Sequence, residues 1–424
     1  MSELKEGYKK TEVGVIPEDW EVKRIGDVVS LLKSGLSRRL SDENIGIPCI
    51  RSNNIKDNRL VLEDLKYWYL VDDKGAKIED YMLKKGDIII NFINSISQIG
   101  KGCIFNKNDF KAIYTTNLLR INTDESVIIN KFFYYYTQTE RYKKEVALIT
   151  KPAVNQASFT TVDYKAIKLP IPPLKEQEKI VEILSTVDCQ IDDTENLIEK
   201  CRVLKKGLMQ RLLSRGIGHS EFRMSEVGEI PASWEVKKFS EISKVNQGLQ
   251  IAIEDRFKED GQYRLPYITI QYINDKNNKD NEFYIENPNK SVVCSEDDIL
   301  MTRTGNTGEV VTNEHGVFHN NFFKIDFNRD LLIKDYLVYY LKSKKIQNLI
   351  IRYAGSTTIP DLKHSDFYRI PVLIPSIDEQ VKIAQILSSV DNEIEEYENK
   401  KEKLEELKKG LMQQLLTGKI RVTI

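Results

Sequence analysis

The sequence predicts an α+β protein: two globular α/β domains separated by a long antiparallel two-helix coiled coil, related by an internal pseudo-two-fold repeat. Three observations predict it. Residues 174–217 (LKEQEKIVEILSTVDCQIDDTENLIEKCRVLKKGLMQRLLSRGI) return as residues 377–420 (IDEQVKIAQILSSVDNEIEEYENKKEKLEELKKGLMQQLLTGKI), 203 positions later. Each half also opens alike, with TEVGVIPEDWEVKR from Thr11 and SEVGEIPASWEVKK from Ser225, 214 positions apart. Finally, the apolar residues of both 44-residue copies recur at alternating steps of four and three, the seam of a coiled coil.

Taken in order, the expected elements are a first globular domain over 1–173, a helix over 174–215, a second globular domain over 216–375, a helix over 376–418 and a tail over 419–424. In the first domain, Gly86–Asn91 reads as a strand and the region near 130–145 as a short helix. The first long helix starts after Pro172-Pro173 with Glu176 and Glu178 in its opening turn. Its seam is Ile180, Leu184, Val187, Ile191, Thr194, Ile198 and Cys201, resumed at Leu208 and Leu212. The second domain offers strands at Tyr267–Gln271 and Ser291–Cys294 and a short helix near 333–350. Ser376 with Glu379 makes a capping box for the second long helix. The seam there is Ile383, Leu387, Val390, Ile394, Tyr397, Leu404, Leu411 and Leu415, with Gly216 and Gly418 at the two exits. Lys205, Lys401 and Lys408 interrupt the stripes, and Gly207 and Gly410 sit inside the helices, where close helix contact or a kink would explain them. About 35 helical residues make a rod of roughly 50 Å. Antiparallel pairing places one globular domain at each end, whereas parallel pairing crowds both at one end.

Composition narrows the class. With 424 residues and 41% hydrophobic content, each half can bury a core. No apolar run approaches the ~20 residues needed to span a bilayer, and no signal-peptide pattern opens the chain. Five scattered cysteines (Cys49, Cys103, Cys189, Cys201, Cys294) predict free thiols in a reducing cytoplasm. A net charge of −1 argues against a uniformly basic nucleic-acid binder but permits local basic faces. Between the anchors the second globular segment is 11 residues shorter, and its interior barely aligns with the first. The frame repeats while the filling differs, so the two domains are expected to read different things.

Several motifs together resemble the specificity subunit of type I restriction–modification enzymes. They are Gly14-x-Ile16-Pro-x-x-Trp20 and Gly228-x-Ile230-Pro-x-x-Trp234, Pro172-Pro-Leu-x-Glu176-Gln and Pro375-Ser-Ile-x-Glu379-Gln, Ile-Leu-Ser-x-Val-Asp at 183–188 and 386–391, and the Gly355-Ser-Thr-Thr-Ile-Pro-Asp-Leu run. The first domain departs from the last of these, reading Lys151-Pro-Ala-Val-Asn-Gln-Ala-Ser-Phe there. The resemblance implies two target-recognition domains, each reading half of a split double-stranded DNA site. It implies helices that set the distance between half-sites and dock two methyltransferase subunits, with motor–nuclease subunits joining. It also implies no catalytic centre, cofactor or metal in this chain.

The motifs of chemistry agree with that implication. An adenine methyltransferase needs Asn/Asp-Pro-Pro-Tyr/Phe, and Asn287-Pro288-Asn289 fails at its third position. The sequence holds no Walker A loop. Glu21-Val-Lys23 and Glu235-Val-Lys237 read as surface strands rather than as the end of a nuclease metal site, and His315 and His319 lack a completing ligand set. A coiled-coil scaffold with protein-binding end domains is the alternative, and a self-contained nuclease a third reading.

Reading bases requires Arg for guanine and Asn or Gln for adenine; phosphates take Lys, Arg and small hydroxyls. Such residues cluster in the first domain at Arg38, Arg39, Arg51, Ser52, Asn53 and Asn54, and at Asn91, Asn94, Ser95, Ser97, Gln98 and Lys101. In the second they cluster at Asn246, Gln247, Gln250, Thr269, Gln271, Tyr272 and Asn274, and in the Gly-rich stretch at Thr302, Arg303 and Asn306. These places match: they lie around the turns expected at Pro48 and Pro266, and after Gly86-Asp87 and Asp297-Asp298.

Overall fold

The structure is a computed structural model describing residues 6–154, 156–355 and 360–423. It divides into two compact units, Met1–Thr194 with Lys400–Ile424, and Glu195–Asn399. The division falls inside both long helices, which run as Leu174–Arg215 and Ile377–Leu415. Each unit therefore contains the start of one long helix and the end of the other.

In the first unit a four-stranded antiparallel sheet has the order 102–104, 88–91, 118–123, 29–34. Its strand Ile88–Asn91 is buried on both faces, as expected of a near-continuous apolar run. Ile88 and Ile90 face a helical layer that includes Phe132, Phe133, Tyr135, Tyr142 and Val146. Ile89 faces the other way, onto Ile50, Tyr114 and Leu118. The second unit repeats the plan. Its sheet order is 243–247, 322–327, 299–302, 310–312, with Ile299 and Met301 on the helical side and Leu300 on the other.

The long helices are part of these cores. Ile180 and Leu184 pack with Met412, Leu415 and Leu416 in the first unit; Leu212 and Leu213 pack with Ile383 and Leu387 in the second. Val187, Ile191, Thr194, Ile198, Cys201 and Val390 are buried, while Ile394, Tyr397, Leu404, Leu208 and Leu411 are half-buried. Within each unit the paired helical stretches are antiparallel. In the first, Glu176 meets Arg421 and Asp188 meets Lys408. In the second, Arg202 meets Glu398 and Lys205 meets Asp391.

The repeated motifs are the joints between helix and domain. Trp20 Nε1 donates to Glu176 Oε2 at 2.9 Å, and Trp234 Nε1 to Glu379 Oε2 at 2.9 Å. The next residue, a fully buried glutamine, accepts a loop N–H and donates to two carbonyls. Gln177 binds Ile129 N, Val127 O and Pro172 O, and Gln380 binds Ile333 N, Leu331 O and Pro375 O. All polar atoms are satisfied, so these amides stitch the helix start to its domain rather than destabilise it. The aspartate closing Ile-Leu-Ser-x-Val-Asp forms a second joint. Asp188 accepts from Tyr135 Oη at 2.6 Å and from Lys408 Nζ at 2.7 Å. Asp391 accepts from Tyr339 Oη at 2.7 Å and pairs with Lys205. Two of the lysines that interrupt the apolar seam are thus charge clamps. A charge on the seam fixes orientation and register at some cost in packing.

Several expectations need correction. The short helices are each split in two, Asn130–Tyr136 with Glu140–Ile149, and Lys334–Lys342 with Lys344–Ala354. Pro48 and Pro266 lie within strands rather than turns. The run from Tyr267 is a strand only to Ile268; Thr269 then caps a helix, Ile270–Asn274. Of Ser291–Cys294 only Val293–Cys294 is strand. Glu379 does not return to cap Ser376, because its carboxylate is taken by Trp234, Ile217 N and His219. A Cβ on Gly207 or Gly410 would meet nothing, so close helix contact does not account for either. Gly216 and Gly418 do take the left-handed φ of a helix exit, 63° and 71°. Ser356–Ile359 of the Gly355 run, and Asn155 of the first domain's substitute, lie outside the described residues. That substitute builds a hairpin, 151–152 with 157–158, which pairs onto Ile93–Asn94.

Candidate nucleic-acid interface

Each unit forms its polar face around a backbone crossing that only glycine permits. In the first, Gly35 and Leu36 cross Tyr114–Thr116, with Leu36 N donating to Tyr114 O at 2.8 Å. A Cβ on Gly35 would stand 2.1 Å from that oxygen. In the second, Leu249 N donates to Phe318 O at 3.0 Å, and a Cβ on Gly248 would stand 2.2 Å from it. Gly35→Ala or Gly248→Ala must push backbone apart, and each should cost about 1–3 kcal/mol, the range for overpacking. Chemical denaturation of the single variants checks this; an unchanged midpoint would show the crossing to be slack.

The first crossing launches the loop bearing Arg38 and Arg39 into an open polar groove of about 720 Å³. The groove gathers Arg38, Arg39, Arg51, Ser52, Asn53 and Asn94, and adds Lys66, Thr115, Thr116, Asn117 and Gln156, which sequence reading missed. A signal for three of these exists: Tyr114-Thr-Thr-Asn-Leu118 matches Phe318-His-Asn-Asn-Phe322 in the repeat.

The gathered residues are not equivalent. Arg38 makes a two-pronged pair with Asp72, at 2.7 and 2.8 Å. Asp72 is buried and also accepts from Trp68 Nε1 and Ala76 N. The Arg38 guanidinium holds its carboxyl well below the usual carboxylate range, against the opposing effect of burial. Arg38 is therefore committed to the scaffold, whereas Arg39 is exposed and has no bonded partner among the described residues. Arg51 and Asn53 both reach Asp64, at 3.2 and 3.4 Å. Asn54 is buried and fully used, accepting from Arg51 N and donating to Val61 O and Glu63 O. Asn91 is likewise buried, bonded to Lys101 O and Asn94. Both are corrected from base readers to loop supports, because neither offers a free edge. Ser95 and Ser97 are exposed and Gln98 and Lys101 half-buried on the adjoining loop, outside the groove.

In the second unit, Asn246 and Gln247 are exposed just before the crossing and Gln250 just after it. Gln250 Oε1 accepts from Asn320 Nδ2 at 3.1 Å. Thr269 caps the helix that presents Gln271 and Asn274 to solvent, while Tyr272 is half-buried beneath Lys276. The Gly-rich stretch is the turn between antiparallel strands 299–302 and 310–312. Thr302 is buried and accepts from Glu309 N at 2.9 Å, so it supports this turn and reads nothing. Arg303 grips Asp361 at 3.0–3.1 Å, and Asn306 donates to Glu309 at 2.8 Å. Carboxylates already occupy both, so a phosphate would have to displace them.

Two α+β domains of one frame with unlike polar faces, carried on paired long helices, define a duplicated recognition protein. A family model for the type I restriction modification DNA specificity domain matches residues 17–201 and again 231–406. The chain belongs to that family, as a type I restriction–modification specificity subunit with two target-recognition domains. It is 31% identical over 423 residues to the putative type I restriction enzyme MjaX specificity subunit of Methanocaldococcus jannaschii, covering 98% of this chain and 97% of that one. The MjaVIII specificity subunit of the same organism is 26% identical over 441 residues, covering 98% and 96%. The fold matches the crystal structure of the S subunit from M. genitalium with a TM-score of 0.57 at 17% identity, covering 93% of this chain and 96% of that chain.

Proposed function

We propose that each α+β domain reads one half of a bipartite double-stranded DNA site. The paired helices set the spacer and dock two methyltransferase subunits, and motor–nuclease subunits join the assembly. The chain itself supplies recognition and no catalytic centre, and it works in the cytoplasm. Among the described residues no helix is long and apolar enough to cross a membrane.

The observation that carries this reading is the duplicated frame with chemically different faces. A groove that presents Arg39 and Asn117, with Lys66 paired to Asp42 and Asn94 bonded to Asn91 and Ser95 N at its wall, stands in the first unit, and exposed Gln247, Gln250 and Gln271 stand in the second. Such groups can reach guanine or adenine edges. Methylation mapping of the reconstituted complex should return a split motif with a fixed gap; one short contiguous motif would sink the reading.

Arg39→Ala should weaken DNA binding by about 1–3 kcal/mol if it meets a base, with little change in thermal stability. Arg38→Ala should do the reverse, lowering the melting temperature by exposing Asp72 to an unmatched burial. Fluorescence anisotropy with the cognate duplex separates the two. Equal DNA affinities for wild type and Arg39→Ala would move readout out of this groove.

A further inference from the structure

The second unit carries a basic groove, several of whose cations are replaced at the matching positions of the first unit. It has a volume of about 810 Å³ and lies between residues 202–214 of the first long helix and the helices Lys334–Lys342 and Lys344–Ala354. Arg202, Lys205, Lys206, Lys342, Lys344 and Lys345 line it, and among the described residues no acidic one does. Arg202 and Lys205 are paired with Glu398 and Asp391. The other four lysines have no bonded partner among the described residues. Met209, Leu213, Val227 and Leu373 provide apolar surface between them.

Burial draws the ammonium groups of Lys342 and Lys345 below the ordinary lysine value; at Lys342 the nearby Lys205 adds to this, while Asp391 and Glu309 oppose it. Lys344 and Lys345 also occupy the first turn of a helix, where a cation opposes the helix dipole. The Ser343 hydroxyl donates back to Tyr340 O at 2.7 Å and accepts no N–H of that turn, which is left without a side-chain cap.

The repeat shows that the frame does not require this. Gln138, Glu140 and Arg141 occupy the matching places in the first unit, and Glu405 stands where Arg202 does. There Thr139 caps the helix by accepting from Tyr142 N at 3.2 Å, and Glu140 suits the dipole. At these positions the first unit carries a cap and an acidic residue, while the second concentrates unpaired lysines around an apolar floor.

We propose that this groove docks an acidic, amphipathic segment of the methyltransferase subunit that binds the second unit. The proposal rests on the docking role given to the helices above. Carboxylates of such a segment would neutralise the lysines while its apolar side covers Met209 and Leu213. A phosphate backbone has no apolar face to place there. The two methyltransferase copies then meet unlike surfaces, and only the copy on the second unit is held by charge.

The test uses the full chain and the purified methyltransferase subunit of the same system, with copies bound counted by native mass spectrometry. The wild-type chain should take two copies at about 0.1 M salt, and one step should weaken as salt rises. Lys344→Glu with Lys345→Glu should weaken that one step by about tenfold or more, leaving the other unchanged. Lys344→Gln with Lys345→Gln, which removes charge without reversing it, should fall between. A control pair on the corresponding helix of the first unit, Lys143→Glu with Lys144→Glu, should leave both steps intact. Two copies bound with wild-type affinity by the charge-reversed chain would overturn the proposal. So would a loss of DNA affinity with partner binding unchanged, since nucleic acid would then be the occupant. A wild-type chain that binds no methyltransferase subunit would overturn the docking role itself.

Discussion

Glu176→Ala is expected to destabilise the first unit by about 3–5 kcal/mol, the cost of breaking a buried charge pair. The Glu176 carboxylate is fully buried. It accepts from Trp20 Nε1 and takes both prongs of Arg421, at 2.8 and 2.9 Å. Truncation leaves the indole N–H without an acceptor and Arg421 with Asp19 alone. For a unit of this size that corresponds to a fall in Tm of roughly 10 °C. Calorimetry should show the first transition moving while the second holds. Glu379→Ala should move the second transition instead, because Glu379 accepts from Trp234 and Ile217 N there. Should Glu176→Ala melt within about 2 °C of wild type, the joint contributes little.

Lengthening the helices is expected to change what is read without changing the readers. Four residues added after Thr194 and four after Asn399 lie where the two units divide. They keep the apolar stripe nearly continuous and add about 6 Å of rise. At ~3.4 Å per base pair, the gap between half-sites should grow by about two base pairs. Methylome sequencing reads gap and half-sites separately. An unaltered gap in an active complex would remove the helices from spacing; altered half-sites with an unaltered gap would place specificity in the rods.

The long helices were legible because a 3.5-residue stripe, stated twice, leaves little else for Ile180, Leu184, Ile383 and Leu387 to do. The defects in that stripe were not legible. Lys205 and Lys408 look like lapses in a row of apolar residues until Asp391 and Asp188 are seen opposite them. The polar faces were legible only as neighbourhoods. Asn53 and Asn54 adjoin and look alike in sequence, yet one is exposed and the other is sealed against two carbonyls. Arg38 and Arg39 divide in the same way, because Asp72 lies 34 residues from its partner and nothing local announces it. Side-chain chemistry marks where a loop could read; long-range pairing decides which groups remain available to do so.

The division of the chain bears on how the protein is made. Glu195–Asn399 is one continuous stretch, so the second unit can complete its core as soon as it leaves the ribosome. The first unit cannot. Ile180 and Leu184 wait for Met412, Leu415 and Leu416, and Glu176 waits for Arg421. At ~5–20 residues per second, the part translated earliest stays open for roughly 10–45 s. During that interval Trp20 and the apolar face around Phe132 are the surfaces that chaperones would be expected to cover.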